Sequence, residues 1–315
     1  YFKNPRRWKR IYQGNKKVIR NANLLVPGRV IRVEVEPDGR LSITGHQVAL
    51  GYRDGRDPHR WSTDPQGHRR FLTDDLGQVG ADGLVLLTGP TGSGKTASLY
   101  SCLTHLQHEA VNIASVEDPS EIPLEGINQV SVNERAGLSF AHALRALLRQ
   151  DPDILMVGEM RDTETAGIAL QAAQTGHLVL STLHSNDAPS ALWRLMQLGL
   201  DRTQIAHTVH LIVAQRLVRR LCTHCRVPPD TLNSAWQARG CAACHEGYRG
   251  RIGLFQVMPI STRMQGLISA GADVQTLAQQ AREEGVRSVY EDGCDKAQAG
   301  HTDLHEVRSA AHAHP

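Results

Sequence analysis

No run of eighteen consecutive apolar residues occurs in this 315-residue chain, and its basic N-terminal stretch is not followed by an apolar segment of signal-peptide type. Neither a membrane-crossing helix nor a secretory leader is therefore expected, and any membrane association would be peripheral. Aromatic residues are scarce, at 4%, which leaves little material for the stacking platform used by single-strand nucleic-acid binders. A hydrophobic fraction of 40% and a charged fraction of 21% are ordinary for a globular chain, and the length suffices for two domains. The chain begins with Tyr1 rather than Met, which is compatible with a fragment.

The net charge of +3 hides an asymmetry: residues 1–80 hold 16 Lys/Arg against 8 Asp/Glu, and the remainder holds 19 against 24. A basic segment of this kind either contacts nucleic acid or an anionic membrane face, or is simply solvated. The overall scarcity of aromatics favours the solvated reading.

What the chain does contain is Gly89-Pro90-Thr91-Gly92-Ser93-Gly94-Lys95-Thr96, which fits G-x-x-x-x-G-K-[ST] directly after the apolar run Leu84-Val85-Leu86-Leu87. In such a loop the glycines let backbone N–H groups turn inward around phosphates. Lys95 can reach the β/γ oxygens, and the Thr96 hydroxyl can ligate Mg²⁺ at the start of a helix. A nucleoside triphosphate site is expected.

From residue 84 onward short apolar runs alternate with helical patterns. Strands are expected at 84–88, 111–116, 154–157 and 178–182, with helices at 95–107, 140–149 and 163–175. This alternation predicts an open α/β sheet whose ligands gather at the carboxyl ends of the strands. Helical spacing continues over 188–198 and 202–221, a short strand is expected at 252–257, and helices near 262–269, 274–284 and 286–299. The domain reading is a divergent or partial N-terminal segment at 1–80, a phosphate-loop core at 81–220, a cysteine-bearing insertion at 221–247 and a C-terminal helical section at 248–315. Within the first segment, 29–36 and 40–43 can pair through the turn Pro37-Asp38-Gly39, and no element is assigned across 51–70. His301, His305, His312 and His314 are read as decorating a solvated end.

Two expected strand ends carry acids: Glu117-Asp118-Pro119-Ser120-Glu121, and Gly158-Glu159. Carboxylates there can hold Mg²⁺ or its waters and orient the water that attacks a γ-phosphate. A third strand end carries His184, which either meets the γ-phosphate or is an ordinary polar loop residue. Cys222-x-x-Cys225 and Cys241-x-x-Cys244, fifteen residues apart, have the spacing of a four-thiolate structural zinc site. Two disulfides are the alternative. Cys102 and Cys294 fall outside the pattern.

In this order the motifs resemble those of the secretion ATPases of the type II secretion and type IV pilus assembly family, over roughly residues 84–300. The match comprises 89–96 as Walker A, Glu117-Asp118-Pro119 with Glu121 as the aspartate box, Leu155-Met156-Val157-Gly158-Glu159 as Walker B and Thr175-Gly176-His177 through His184 as the histidine box. The resemblance implies a RecA-like P-loop core with a C-terminal helical section and zinc knuckle. It further implies ATP and Mg²⁺ on Lys95 and Thr96, Glu159 as general base, Glu121 assisting and His184 at the γ-phosphate. It also implies a homo-hexamer that works on pilin or pseudopilin through an inner-membrane platform protein, cytoplasmic and peripheral at that membrane, with no specific nucleic acid. The tetracysteine insertion is similar to that of the assembly and secretion members. Residues 1–80 show no stretch that aligns with the Arg-bearing PAS-like domain the family places before its core. An ATP-binding but hydrolysis-deficient subunit, or a nucleic-acid-dependent P-loop motor, are the alternatives.

Overall fold

The computed structural model describes residues 82–107, 111–229 and 235–311, together with five strand segments before them. The chain divides into two units, Tyr1–Gln78 and Val79–Pro315. In the first unit, strands β1 (Leu24–Val26), β2 (Arg29–Val35), β3 (Leu41–Gly45), β4 (Trp61–Thr63) and β5 (Arg69–Leu72) form an antiparallel sheet in the order β1-β2-β3-β5-β4. Strands β2 and β3 pair with Val35 opposite Leu41, the register that the expected hairpin demands; its turn residues lie outside the described residues. Strand β4 and the start of β5 fall within 51–70, where no element was expected. Strands of three and four residues are too short to show a period, and the partner of β5 on one side, β3, lies far upstream.

The second unit is built on a seven-stranded sheet. Its elements run β6 (Gly83–Thr88), α1 (Lys95–Leu106), β7 (Ile113–Glu117), β8 (Asn128–Ser131), α2 (Phe140–Leu148), β9 (Ile154–Val157), α3 (Thr163–Gln174) and β10 (Leu178–Leu183). There follow α4 (Ala188–Gln197), α5 (Arg202–Thr208), β11 (Val209–Leu221), β12 (Tyr248–Pro259), α6 (Thr262–Ala270), α7 (Val274–Glu283), α8 (Val289–Gln298) and α9 (Leu304–Ala311). The sheet order is β12-β11-β6-β10-β9-β7-β8, parallel throughout except for the antiparallel β11–β12 pair.

Helices cover both faces of this sheet, which is why its inner strands are near-continuous apolar runs rather than alternating ones. In β6, Leu84 and Leu86 join the cluster that packs α2 to α7, while Leu87 joins the opposite cluster with Leu99 and Leu103 of α1. In β9, Leu155 and Val157 take the first side, and Ile154 and Met156 the second. A third cluster, built from Ala214, Val218, Ile252, Leu254, Val289, Ala297 and Val307, seats α8 and α9 on the β11–β12 ribbon.

The structure corrects the helix expected at 202–221. Only Arg202–Thr208 is helical; Val209–Leu221 is a thirteen-residue strand. Apolar positions 205, 206, 209, 212 and 213 satisfy helical spacing, but pairing with β6 on one side and β12 on the other supplies ladder hydrogen bonds along the strand. Its branched residues Val209, Ile212, Val213 and Val218 suit a pleated surface. The strand expected at 252–257 is correspondingly longer, since β12 runs the length of β11, and the tail after residue 300 carries α9.

Candidate nucleotide site and thiol centre

Parallel pairing brings the carboxyl ends of β6, β7, β9 and β10 to one edge of the sheet. The segment 89–94 leaves β6 there and turns into α1. Every helix from α2 to α8 begins with a Ser or Asp side chain accepting a first-turn amide, at Ser139, Asp162, Asp187, Asp201, Ser261, Asp273 and Ser288. Helix α1 begins instead at Gly94, in the left-handed region with φ 86°, and no side chain caps it. Its first N–H groups and the positive end of its dipole are thus left for an anion. A Cβ on Gly89, where φ is 148°, would lie 2.4 Å from Gln215 O and 2.6 Å from Ser93 Oγ, so only glycine lets the loop lie this close to β11. Ser93 Oγ is itself buried without a hydrogen-bond partner. A cradle of this shape, with an orphaned hydroxyl and a bare helix start, fits a phosphate group.

Lys95 is buried and curls over the loop, donating through Nζ to Gly89 O at 2.7 Å and Pro90 O at 3.1 Å. Burial and the Arg216 guanidinium pull its ammonium below the ordinary lysine value, and the Glu159 carboxylate opposes them. Thr96 is half-buried at the first turn of α1. Glu159, at the end of β9, is ion-paired to Arg161 through Oε1 and faces His184 Nε2 at 3.6 Å through Oε2. The loop, Lys95, Glu159 and His184 therefore meet at one sheet edge, with Arg161 also 3.9 Å from Asp118.

Glu121 is placed differently. Its side chain is exposed, and its backbone N–H donates to Tyr100 Oη at 3.0 Å. The buried acid of that segment is Glu117, which accepts from Tyr100 Oη, from Ser115 Oγ at 2.6 Å and from Gln129 Nε2 at 3.1 Å. Burial and this carboxylate push the Tyr100 phenol above its ordinary value. Gln129 of β8 also holds Ser120 Oγ and Ile122 O at 3.1 Å and accepts from Leu124 N at 2.6 Å, which fixes the whole acid-bearing turn.

Between β11 and β12, the Sγ atoms of Cys222, Cys225, Cys241 and Cys244 all lie within 4.8 Å of one another. The Cys222–Cys241 separation is 3.9 Å, and Cys225–Cys244 and Cys241–Cys244 are each 3.6 Å. A tetrahedral ion with ~2.3 Å thiolate arms gives edges of about 3.8 Å, whereas a disulfide needs about 2.05 Å. The four thiols therefore fit one soft divalent ion. Cys102 and Cys294 lie outside the group.

The family model for the type II/IV secretion system protein matches residues 72–309. The chain belongs to that family. It is 51% identical over 236 residues to the protein transport protein HofB homolog of Escherichia coli K12, covering 71% of this chain and 51% of that one. To the type IV pilus assembly ATPase PilB of Pseudomonas aeruginosa it is 48% identical over 241 residues, covering 71% and 43%. The crystal structure of the pilus retraction motor PilT with bound ADP aligns with a TM-score of 0.59 at 25% identity, over 90% of this chain and 77% of that one. The chain spans about half the length of the curated relatives it matches.

The P-loop fold expected from sequence is the fold of this family member, and its phosphate loop, Glu159 and His184 converge. Sequence reading gave no role to Gln215 and Arg216 of β11, which reach the same edge. Gln215 touches the loop directly. Arg216, 6% exposed, donates to Asn186 O at 2.9 Å, just beyond His184, and to Ala310 O of α9 at 3.3 Å. Two adjacent polar residues in an apolar run were the available signal, masked by the helical reading of that run. His305 is exposed at the start of α9, while His312 and His314 lie outside the described residues.

Proposed function

We propose that this chain is an ATPase motor subunit that hydrolyses ATP to power pilin or pseudopilin assembly in a type IV pilus or type II secretion system. The observation that carries the reading is the uncapped start of α1 under a glycine loop, with Lys95 and Glu159 at the same strand edge. Lys95 holds the β/γ oxygens, Thr96 and the loop amides bind the Mg²⁺-nucleotide, and Glu159 takes the proton of the attacking water. Its neighbour His184 contacts the γ-phosphate, and Glu121 assists from the turn after β7. Mg²⁺, when bound, neutralises charge on the phosphates. Cys222, Cys225, Cys241 and Cys244 hold a structural zinc ion with no open position for catalysis.

The working unit is a homo-hexamer, because sites of this type gain from groups on an adjoining subunit. It acts in the cytoplasm, peripheral at the inner membrane, on a platform protein, with no specific nucleic acid. No helix among the described residues is long and apolar enough to cross a membrane. The names of the relatives, a protein transport protein and a pilus assembly ATPase, support this assignment.

The test is steady-state ATP hydrolysis by the zinc-loaded chain across a concentration series, with sedimentation of the same samples and Glu159→Gln as control. Turnover that rises with assembly and vanishes in the control is expected. Nucleotide binding without turnover at any concentration would overturn the motor reading in favour of a binding-only subunit.

A further inference from the structure

Gln215 lies in the interior of β11 and is 3% exposed. Both ends of its side-chain amide are committed to the phosphate loop and the helix after it. Nε2 donates to Ser93 O at 2.9 Å, and Oε1 accepts from Ser98 Oγ at 2.8 Å. Its backbone carbonyl lies beneath Gly89, and its Nε2 sits 3.0 Å from where a Cβ on Gly94 would be. One residue of a neighbouring strand thus touches the beginning and the end of the loop and the first turn of α1.

Peptide geometry gives this contact a directional consequence. The carbonyl of Ser93 and the N–H of Gly94 belong to one trans peptide plane and point in opposite directions. Holding Ser93 O against β11 turns the Gly94 N–H away from the strand. Buried between sheet and helix, the amide is shielded from water, and its orientation is set by the Ser98 hydroxyl at its far end.

We propose that Gln215, oriented by Ser98, is the positioning residue that turns the Gly94 amide toward bound phosphate. The proposal rests on the reading of 89–96 as a nucleotide site. It concerns a residue that contacts the loop from outside and does no chemistry itself.

The experiment measures calorimetric affinity for ATP with magnesium in the full zinc-loaded chain carrying Glu159→Gln, alongside melting of the nucleotide-free protein. Gln215→Met keeps length and volume while removing both amide contacts. It is expected to weaken ATP binding about five- to tenfold, the range that one positioning hydrogen bond spans. Ser98→Ala reads the same contact from its other end, and about a threefold loss is expected, with the double variant no weaker than Gln215→Met alone. Removing the Ser98 hydroxyl leaves the buried Gln215 Oε1 unpaired, so nucleotide-free Ser98→Ala is expected to melt a few degrees below the parent; affinities measured at a temperature where every variant is folded separate positioning from a general loss of stability. Affinities within twofold of the parent in both single variants, or losses that multiply in the double variant, overturn the proposal. Lys95→Ala separates the two levels. If the parent does not bind ATP, or Lys95→Ala binds as the parent does, the nucleotide reading itself fails and this inference with it. If Lys95→Ala loses binding while the Gln215 and Ser98 variants do not, only the positioning role is refuted.

Discussion

The β11–β12 ribbon and α8 are joined by a buried ion pair whose worth can be measured. Lys296 and Asp292, one helical turn apart on α8, are each 1% exposed and paired through Nζ and Oδ2. Lys296 Nζ also donates to Gly253 O at 2.9 Å, and Asp292 Oδ2 also accepts from Phe255 N at 2.8 Å. The Lys296 ammonium lies 4.9 Å from the centre of the Phe255 ring. Burial pushes the ammonium below its ordinary value, and Asp292 opposes that. Lys296→Met leaves a carboxylate stranded where water cannot reach it, a change that costs about 3–5 kcal/mol. Asp292→Asn strands the ammonium at similar cost while keeping an acceptor for Phe255 N. The double variant strands neither charge, so it should lose far less than the sum, with a coupling energy above about 2 kcal/mol. Urea unfolding of the full chain at fixed zinc, followed by far-ultraviolet circular dichroism, gives the four stabilities of the cycle. Single variants that each lose under about 1 kcal/mol, or losses that add, would refute the argument that the pair is dry and mutually dependent.

Metal analysis should find one zinc ion per chain, and chelation should open residues 222–247 to protease; a folded, protease-resistant chain without zinc would count against the thiol centre. Glu306, 12% exposed, accepts from Arg219 N at 2.9 Å, Nε at 3.1 Å and Nη2 at 2.8 Å. Burial raises the carboxyl pKa, but the bonds from Arg219 outweigh it and hold the value below 4.5. Because the folded value lies below the unfolded one, the stabilisation is complete above pH 4.5 and is lost as pH falls through the folded value. Glu306→Gln should therefore cost about 1.5–3 kcal/mol at pH 7, and its melting temperature should converge on that of the parent only as pH falls through the folded value, which lies below 4.5; a gap that persists further into acid would show that packing, not charge, is lost.

The phosphate loop and the strands that carry its partners were legible because their chemistry is local. Residues 89–96 announce a loop between a strand and a helix within fourteen residues, and Glu159 and His184 each follow directly on a short apolar run. The β11 strand was not legible, since it is specified by its neighbours. At 202–221 the apolar residues serve either period, and what decides is ladder pairing with β6, more than a hundred residues upstream, and with β12 beyond the cysteine insertion. Gln215 and Arg216 read as a polar interruption on a helix face; only pairing reveals that they are buried against the loop. Glu117 and Glu121 show the same limit on a smaller scale. The two acids lie four residues apart, Glu117 ending β7 and Glu121 in the turn after it, and Gln129 on β8 and Tyr100 on α1 hold Glu117 in its buried place while the Glu121 side chain stays exposed.

Strand β11 is also the element that joins the candidate nucleotide site to the rest of the second unit. Gln215 holds the phosphate loop, Arg216 reaches Asn186 and Ala310, and Arg219 binds Glu306 at the start of α9. Leu221 N donates to His301 O at 2.9 Å, and Cys222 supplies the first thiol of the four-cysteine cluster. These contacts occupy eight consecutive residues, about 25 Å of extended chain at ~3.3 Å per residue. They lie along a ribbon that β12 pairs with and that α8 locks in place through Lys296 and Asp292. The candidate nucleotide site, α9 and the thiol centre are therefore all attached to one covalent element, whose pairing with β12 shifts register between Arg219 and Leu221, after the contacts to the loop and to Glu306 and before the first thiol.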